Sequence, residues 1–207
     1  MSSNEVYKEK SKQTFDNEAK VYETSSNGKH AKKLYSSVIE NVKMLNCLKV
    51  LDVGCGTGTI LSELSNNDKI NLAGVDLSEN MINIAKKTLN DKVELKIGDS
   101  EKLPWEDNTF DAVICTDSFH HYPNPEKVLI EMARVLLPKG HLIIGDPWAM
   151  SPIRQLMNLL LRYSKKGDFR IYSQSEINKL FIKCGFSVIS FNRVNYSSFI
   201  TTAQVNK

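Results

Sequence analysis

Val50-Leu51-Asp52-Val53-Gly54-Cys55-Gly56-Thr57-Gly58 decides the fold, because an apolar run reads straight into a turn with three alternate glycines. Lys49 to Val53 predicts a strand, and Thr59-Ile60-Leu61-Ser62-Glu63-Leu64 predicts the helix that follows it. Glycine has no Cβ, so such a turn lets a ligand or another backbone approach closely. The turn sits at the carboxyl end of a strand, which is where open α/β sheets bind their ligands.

The chain repeats this arrangement. Asn71 to Asp76 is a second short apolar strand, ending in an acid about 20 residues past the glycine turn, the separation at which doubly wound folds place a ribose-binding carboxylate. Ser78 then caps a helix with Met81, Ile82, Ile84 and Ala85 on its apolar face. A third strand, Val93 to Ile97, ends in Gly98-Asp99-Ser100, and a fourth, Phe110 to Thr116, ends in Asp117-Ser118-Phe119-His120-His121. Four strands thus deliver polar groups to one edge. The spacing G-x-G-x-G departs from the dinucleotide fingerprint G-x-G-x-x-G, whose third glycine is replaced by Thr59. Asp52 would repel a pyrophosphate but suits an ammonium. An NAD(P)-binding oxidoreductase is therefore the alternative reading, not the first.

With those residues in view, the chain resembles the class I S-adenosylmethionine-dependent methyltransferases. The resemblance rests on four blocks in order: VLDVGCGTG, GVDLSENMI, GDSEKLPWEDNTFDAVICTDSFHHYPNP and LLPKGHLIIGDP. It is most similar to the small-molecule branch around the ubiquinone and menaquinone C-methyltransferases, and Phe15 to Glu23 is similar to that branch's amino-terminal pattern. The resemblance implies S-adenosylmethionine as cofactor and S-adenosylhomocysteine as its product. It implies that Gly54, Gly56 and Gly58 lie against the methionine and ribose, that Asp52 holds the ammonium, and that Asp76 takes the ribose hydroxyls. Leu77 would pack on adenine with Met81 beside it, and Asp99 would accept from the adenine amine with Ser100 adjacent. Asp117 and Tyr22 would border the sulfonium end. His120 and His121 follow the fourth strand, where the acceptor is met, and an imidazole near neutrality is a candidate general base. A non-catalytic S-adenosylmethionine-binding protein is the third reading.

The remaining sequence fits one α/β domain: a Rossmann-like doubly wound sheet of seven mostly parallel strands with one antiparallel strand near its edge. The predicted later elements are a helix from Pro125 to Val135, a turn at Pro138-Lys139-Gly140 into a fifth strand His141 to Gly145, and a helix opened by the capping box Ser173 to Glu176 and stopped at Gly185. Strands at about 187 to 194 and 199 to 205 complete it. Residues 1 to 45 are expected to form a helical cover or lid broken near Ser25 to Gly28, and 46 to 207 the methyltransferase core, with 147 to 172 a lid-like insertion.

Across 207 residues the formal charge is +3, without a polybasic tract, so a nucleic-acid partner is not expected. Lys86-Lys87 and Lys165-Lys166 read as solvated faces. The expected partner is a small-molecule methyl acceptor. Cys47, Cys55, Cys115 and Cys184 are scattered with no C-x-x-C pair, no metal site is expected, and the polar amino terminus points to the cytoplasm. Ile153 to Tyr163 is the most apolar helix candidate, too short for a bilayer, so stable membrane insertion is not expected. It suits a helix over the cleft or at a partner interface. Oligomeric state is not legible.

Overall fold

The computed structural model describes residues 3–161, 163–164 and 166–207. Met1 and Ser2, Arg162 of the apolar helix candidate, and Lys165 lie outside them.

The strands form where the alternating apolar runs predicted them: β1 Lys49–Val53, β2 Asn71–Asp76, β3 Glu94–Ile97, β4 Phe110–Thr116, β5 Leu136–Pro147, β6 Phe186–Arg193 and β7 Ser198–Val205. They build one sheet in the order β3-β2-β1-β4-β5-β7-β6. β7 runs antiparallel to both its neighbours, and the other pairings are parallel. Strand order reverses between β1 and β4, and at such a switch point a crevice opens beyond the strand ends.

One expectation changes at β5. Pro138-Lys139-Gly140 does not precede the strand. β5 begins at Leu136 opposite Phe110, and the register then shifts so that His141 faces Ala112. Lys139, at φ 61°, takes up the irregularity inside the strand. Proline and glycine within a strand mark a bulge as readily as a turn.

Side chains alternate across the sheet, and the two faces gather separate cores. Val50, Leu72, Ala112, Ile114 and Ile143 pack on α2 (Ser26–Met44), α3 (Thr59–Leu64) and α4 (Glu79–Leu89) through Val38, Val42, Leu61, Ile82 and Ala85. Leu51, Val53, Val75, Val113, Leu142 and Ile144 meet α5 (Pro125–Val135) and α7 (Gln174–Lys183) through Val128, Leu129, Met132, Ile177 and Phe181. Each fully buried Leu or Ile stabilises by about 1.5–3 kcal/mol, so these layers fix the strand ends firmly.

The amino-terminal residues divide into two parts. α2 is a layer of the core, capped by Ser25, which accepts from Gly28 N–H at 3.1 Å. α1 (Ser3–Glu18) and the 3-10 turn Ala19–Thr24 lie over the strand ends instead. They are tied down where Asp16 accepts from Ser78 Oγ at 2.6 Å. α6 (Ile153–Leu161) is bound mainly along one edge. Leu156 and Leu160 are each 59% exposed, whereas Met157 and Leu161 line a cavity beneath. Among the described residues no helix is long and apolar enough to cross a membrane.

Candidate active site

The glycine turn is stitched to β2: Gly54 and Cys55 N–H both donate to Val75 C=O, at 2.8 and 3.0 Å. At Gly54, φ is +77° and a Cβ would fall 2.2 Å from Ser118 Oγ, so only glycine fits. Gly56 presents its bare face to Tyr22, whose ring is 3.9 Å from where a Cβ would stand. Gly58 does something else. A Cβ there would lie 2.8 Å from Leu89 and 3.1 Å from Ala85, so this glycine lets α3 and α4 pack closely and does not reach the ligand face.

Asp76 ends β2 with both carboxylate oxygens placed by backbone. Oδ2 accepts from Gly56 N–H at 2.9 Å and Oδ1 from Ser78 N–H at 2.8 Å. Burial raises its pKa, and these N–H groups partly offset that. Each oxygen keeps a lone pair for a further donor. Ser78 Oγ accepts from Met81 N–H at 3.1 Å, so one serine both caps α4 and sets the wall beside Leu77 and Met81.

One cavity, of ≈ 70 Å³, gathers the predicted cofactor residues Tyr22, Gly54, Gly56, Asp76, Leu77, Met81, Asp99, Ser100 and Asp117. Asp52 and Gly58 are not on its wall. Strand alternation explains Asp52: it points to the same face as Val50, into a satellite cavity of ≈ 20 Å³ behind Gly54 and Gly56, with Tyr35 opposite. That volume suits one water, the kind of bridge through which this carboxylate would reach an ammonium. Burial, with Asp76 nearby, pushes Asp52 up to about 8.

The polar groups fit an adenosine and an amino-acid tail, but ≈ 70 Å³ is well below the roughly 300–1,000 Å³ of ligand pockets. α1 accounts for the shortfall. Lys8 Nζ lies 2.7 Å from Asp99 Oδ2 and 2.7 Å from Glu101 Oε1, and Lys12 and Phe15 also face the cavity. Asp99 therefore already holds a cation where the adenine amine would donate.

A second cavity, of ≈ 410 Å³, opens on the other side of Tyr22, Phe15, Asp117 and His121, residues that line both. Trp148, Met157, Leu161 and Ile171 give it an apolar wall. Asp117 has φ 53° and turns its carboxylate to His30 Nδ1 at 2.8 Å. That hydrogen bond raises the His30 pKa against the opposing effect of burial.

The histidines after β4 are held by Phe119, fully buried on the sheet. His120 Nδ1 lies 2.9 Å from Asp146, the fully buried next-to-last residue of β5. Burial alone would lower this imidazole, but the carboxylate outweighs it and His120 is raised to about 9. His121 moves the other way, lowered by burial and by its charged neighbour. Its ring meets Phe15 edge-on at 5.1 Å and that of His120 at 4.1 Å. Sequence reasoning did not find His30, Asp146 or Asp168, because nothing local marks them. His30 reaches the site from α2, Asp146 from the end region of β5 and Asp168 from the segment after α6.

A doubly wound sheet with a glycine turn, a carboxylate at the end of β2 and two adjoining cavities is an arrangement suited to a nucleoside-bearing ligand. Residues 51–144 match the family described as "Methyltransferase domain". The chain is 37% identical over 103 residues to methyltransferase GfsG of Streptomyces halstedii, covering 47% of this chain and 37% of that protein. It is 34% identical over 150 residues to a demethylmenaquinone methyltransferase of Staphylococcus aureus, covering 69% and 62%. A solved SAM-dependent methyltransferase from Aquifex aeolicus superposes with TM-score 0.63 at 28% identity, over 76% of this chain and 82% of that one. Residues 51–144 thus carry a methyltransferase domain, and the chain is similar in sequence and fold to S-adenosylmethionine-dependent methyltransferases. It spans less than half the length of the first curated relatives it matches.

Proposed function

We propose that this chain transfers a methyl group from S-adenosylmethionine to a small organic acceptor with an apolar body, seated in the larger cavity. The observation that carries this reading is the shared partition: Phe15, Tyr22, Asp117 and His121 wall both cavities, so a donor in one and an acceptor in the other would meet there. Relatives named for demethylmenaquinone, 27-O-demethylrifamycin SV and sterol substrates support an acceptor of this kind.

S-adenosylmethionine supplies a methyl group on a sulfonium that leaves readily. What the chain adds is position. Asp76 would hold the ribose hydroxyls, Asp99 the adenine amine once Lys8 yields, and Gly54 and Gly56 would leave room for the methionine. Asp52 would reach its ammonium through the satellite cavity. Holding donor and acceptor in line converts a bimolecular encounter into an effectively unimolecular step. Phe15 and Tyr22 exclude water from that line. His120 and His121 stand on the acceptor side, where the attacking atom must be bound and relieved of any proton.

The test is calorimetry with S-adenosylhomocysteine, followed by transfer of labelled methyl to a panel of quinols, phenols, amines, thiols and carboxylates. Binding with transfer to at least one acceptor is expected. Binding of NAD(H) but not of S-adenosylhomocysteine would favour an oxidoreductase. Binding of S-adenosylhomocysteine with no transfer to any panel member would favour a non-catalytic binder.

A further inference from the structure

Three polar atoms converge on the wall of the larger cavity without bonding to one another. His120 Nε2 and His121 Nδ1 each lie 3.7 Å from Asp168 Oδ1, beyond hydrogen-bond reach, and all three atoms fall within 4.8 Å of one another. Their neighbours hold this geometry. Asp146 sits 2.9 Å from His120 Nδ1 and accepts from it, which turns Nε2 toward Asp168, where a metal ion would displace the Nε2 proton of the imidazolium. Ser164 Oγ donates to the other Asp168 oxygen at 2.7 Å. Phe169 and Arg170 N–H both donate to His120 C=O, at 2.8 and 3.0 Å, stitching the segment that carries Asp168 to the histidine it faces. His121 is 7% exposed, and its Nδ1 has no partner. A buried nitrogen left unsatisfied is costly, and a ligand at that point would recover that cost.

We propose that His120, His121 and Asp168 form a divalent transition-metal site in the wall of the larger cavity. Two imidazoles and one carboxylate suit zinc, cobalt(II), nickel(II) or iron(II), and leave further positions open. Ligand atoms around a tetrahedral ion at such bond lengths stand about 3.4 Å apart, so the two 3.7 Å separations need to close by a few tenths of an ångström and the two imidazole nitrogens, within 4.8 Å of each other, by up to about 1.4 Å. A carboxylate behind a ligating histidine, as Asp146 stands behind His120, is the regular means of fixing tautomer and ring orientation. The open positions face the cavity, and on the methyl-transfer reading they would bind an acceptor oxygen and lower its pKa. The imidazoles then serve as ligands rather than as proton acceptors.

The experiment titrates Co²⁺ into the full chain after chelation and dialysis, following visible absorption, with S-adenosylhomocysteine affinity measured on the same samples. One saturable equivalent with the bands of a low-coordinate nitrogen–oxygen site is expected. Asp168→Asn should weaken it by about tenfold or more, and Ser164→Ala, which only loosens the hold on Asp168, by several-fold. No saturation below about 1 mM Co²⁺, or the same affinity in both variants, would overturn the site. If the native chain bound Co²⁺ but not S-adenosylhomocysteine, the metal site would stand and the methyl-transfer reading would fall.

Discussion

Asp76 carries two jobs at once, and its removal separates them. Asp76→Ala should weaken S-adenosylhomocysteine binding by about 1–3 kcal/mol, or roughly 5- to 150-fold in Kd, measured calorimetrically. It should also lower Tm, because Gly56 and Ser78 N–H lose their acceptor. Glycine positions allow a sharper comparison. Gly185 has φ +85° with open space around it, whereas Gly54 has φ +77° and Ser118 in the way. Gly185→Ala should cost about 1–2 kcal/mol from backbone strain, and Gly54→Ala distinctly more; equal losses in urea unfolding would show that Ser118 simply moves aside. His30 sets a pH dependence. Its pKa is raised in the folded chain by Asp117, so its stabilisation is fully present below the ordinary value near 6.5 and is lost as pH rises through the raised value. The stability advantage of the native chain over His30→Gln should therefore shrink from pH 6 upward. Much of the smaller cavity's wall was legible because Gly54, Asp76, Leu77, Asp99 and Asp117 end a predicted strand or follow one closely, whereas Tyr22 lies on the amino-terminal segment and was named only through the family resemblance. Asp52 and Gly58 both lie in the signature run, yet strand alternation turns Asp52 into the satellite cavity and the start of α3 turns Gly58 toward α4.

α1 is the element whose role the sequence least disclosed. Its residues read as polar and helical, and nothing in that pattern says that Lys8 reaches Asp99 and Glu101. The pair is partly exposed, so it is worth only about 0–1 kcal/mol, and it competes with the adenine amine. Lys8→Ala should accordingly tighten S-adenosylhomocysteine binding by up to about fivefold; a weaker complex would show that Lys8 contributes to the bound state. Hydrogen exchange offers an independent reading, since α1 amides should change protection when the cofactor enters. The strands were the most legible elements, their apolar runs being bounded by clear turn residues. β5 was the exception. Pro138 and Gly140 carry turn chemistry, but pairing of Leu136 with Phe110 across the sheet prevails over it.

At the scale of the molecule, sheet order puts the switch point between β1 and β4, and both cavities open there. That much follows from strand succession in the sequence. The acceptor side does not, because β5, β7 and the segment around Asp168 are brought together only by the finished fold. α6 shows the difference in physical terms. Its apolar residues were legible, but their direction was not: Leu156 and Leu160 face solvent while Met157 and Leu161 line the larger cavity. Leu160→Ser should change stability by less than about 0.5 kcal/mol, whereas Leu61→Ala in the core should cost about 2–5 kcal/mol, both readable by denaturant midpoint.

Phe15 and Tyr22 are common to the two chambers, and they sit on the amino-terminal segment that narrows the smaller one. Occupancy of one chamber therefore sets the shape of the other. On the proposed methyl-transfer reading, turnover should show synergy, each reactant tightening its companion, and discharge of the spent nucleoside should be the moment at which the methylated compound is also let go.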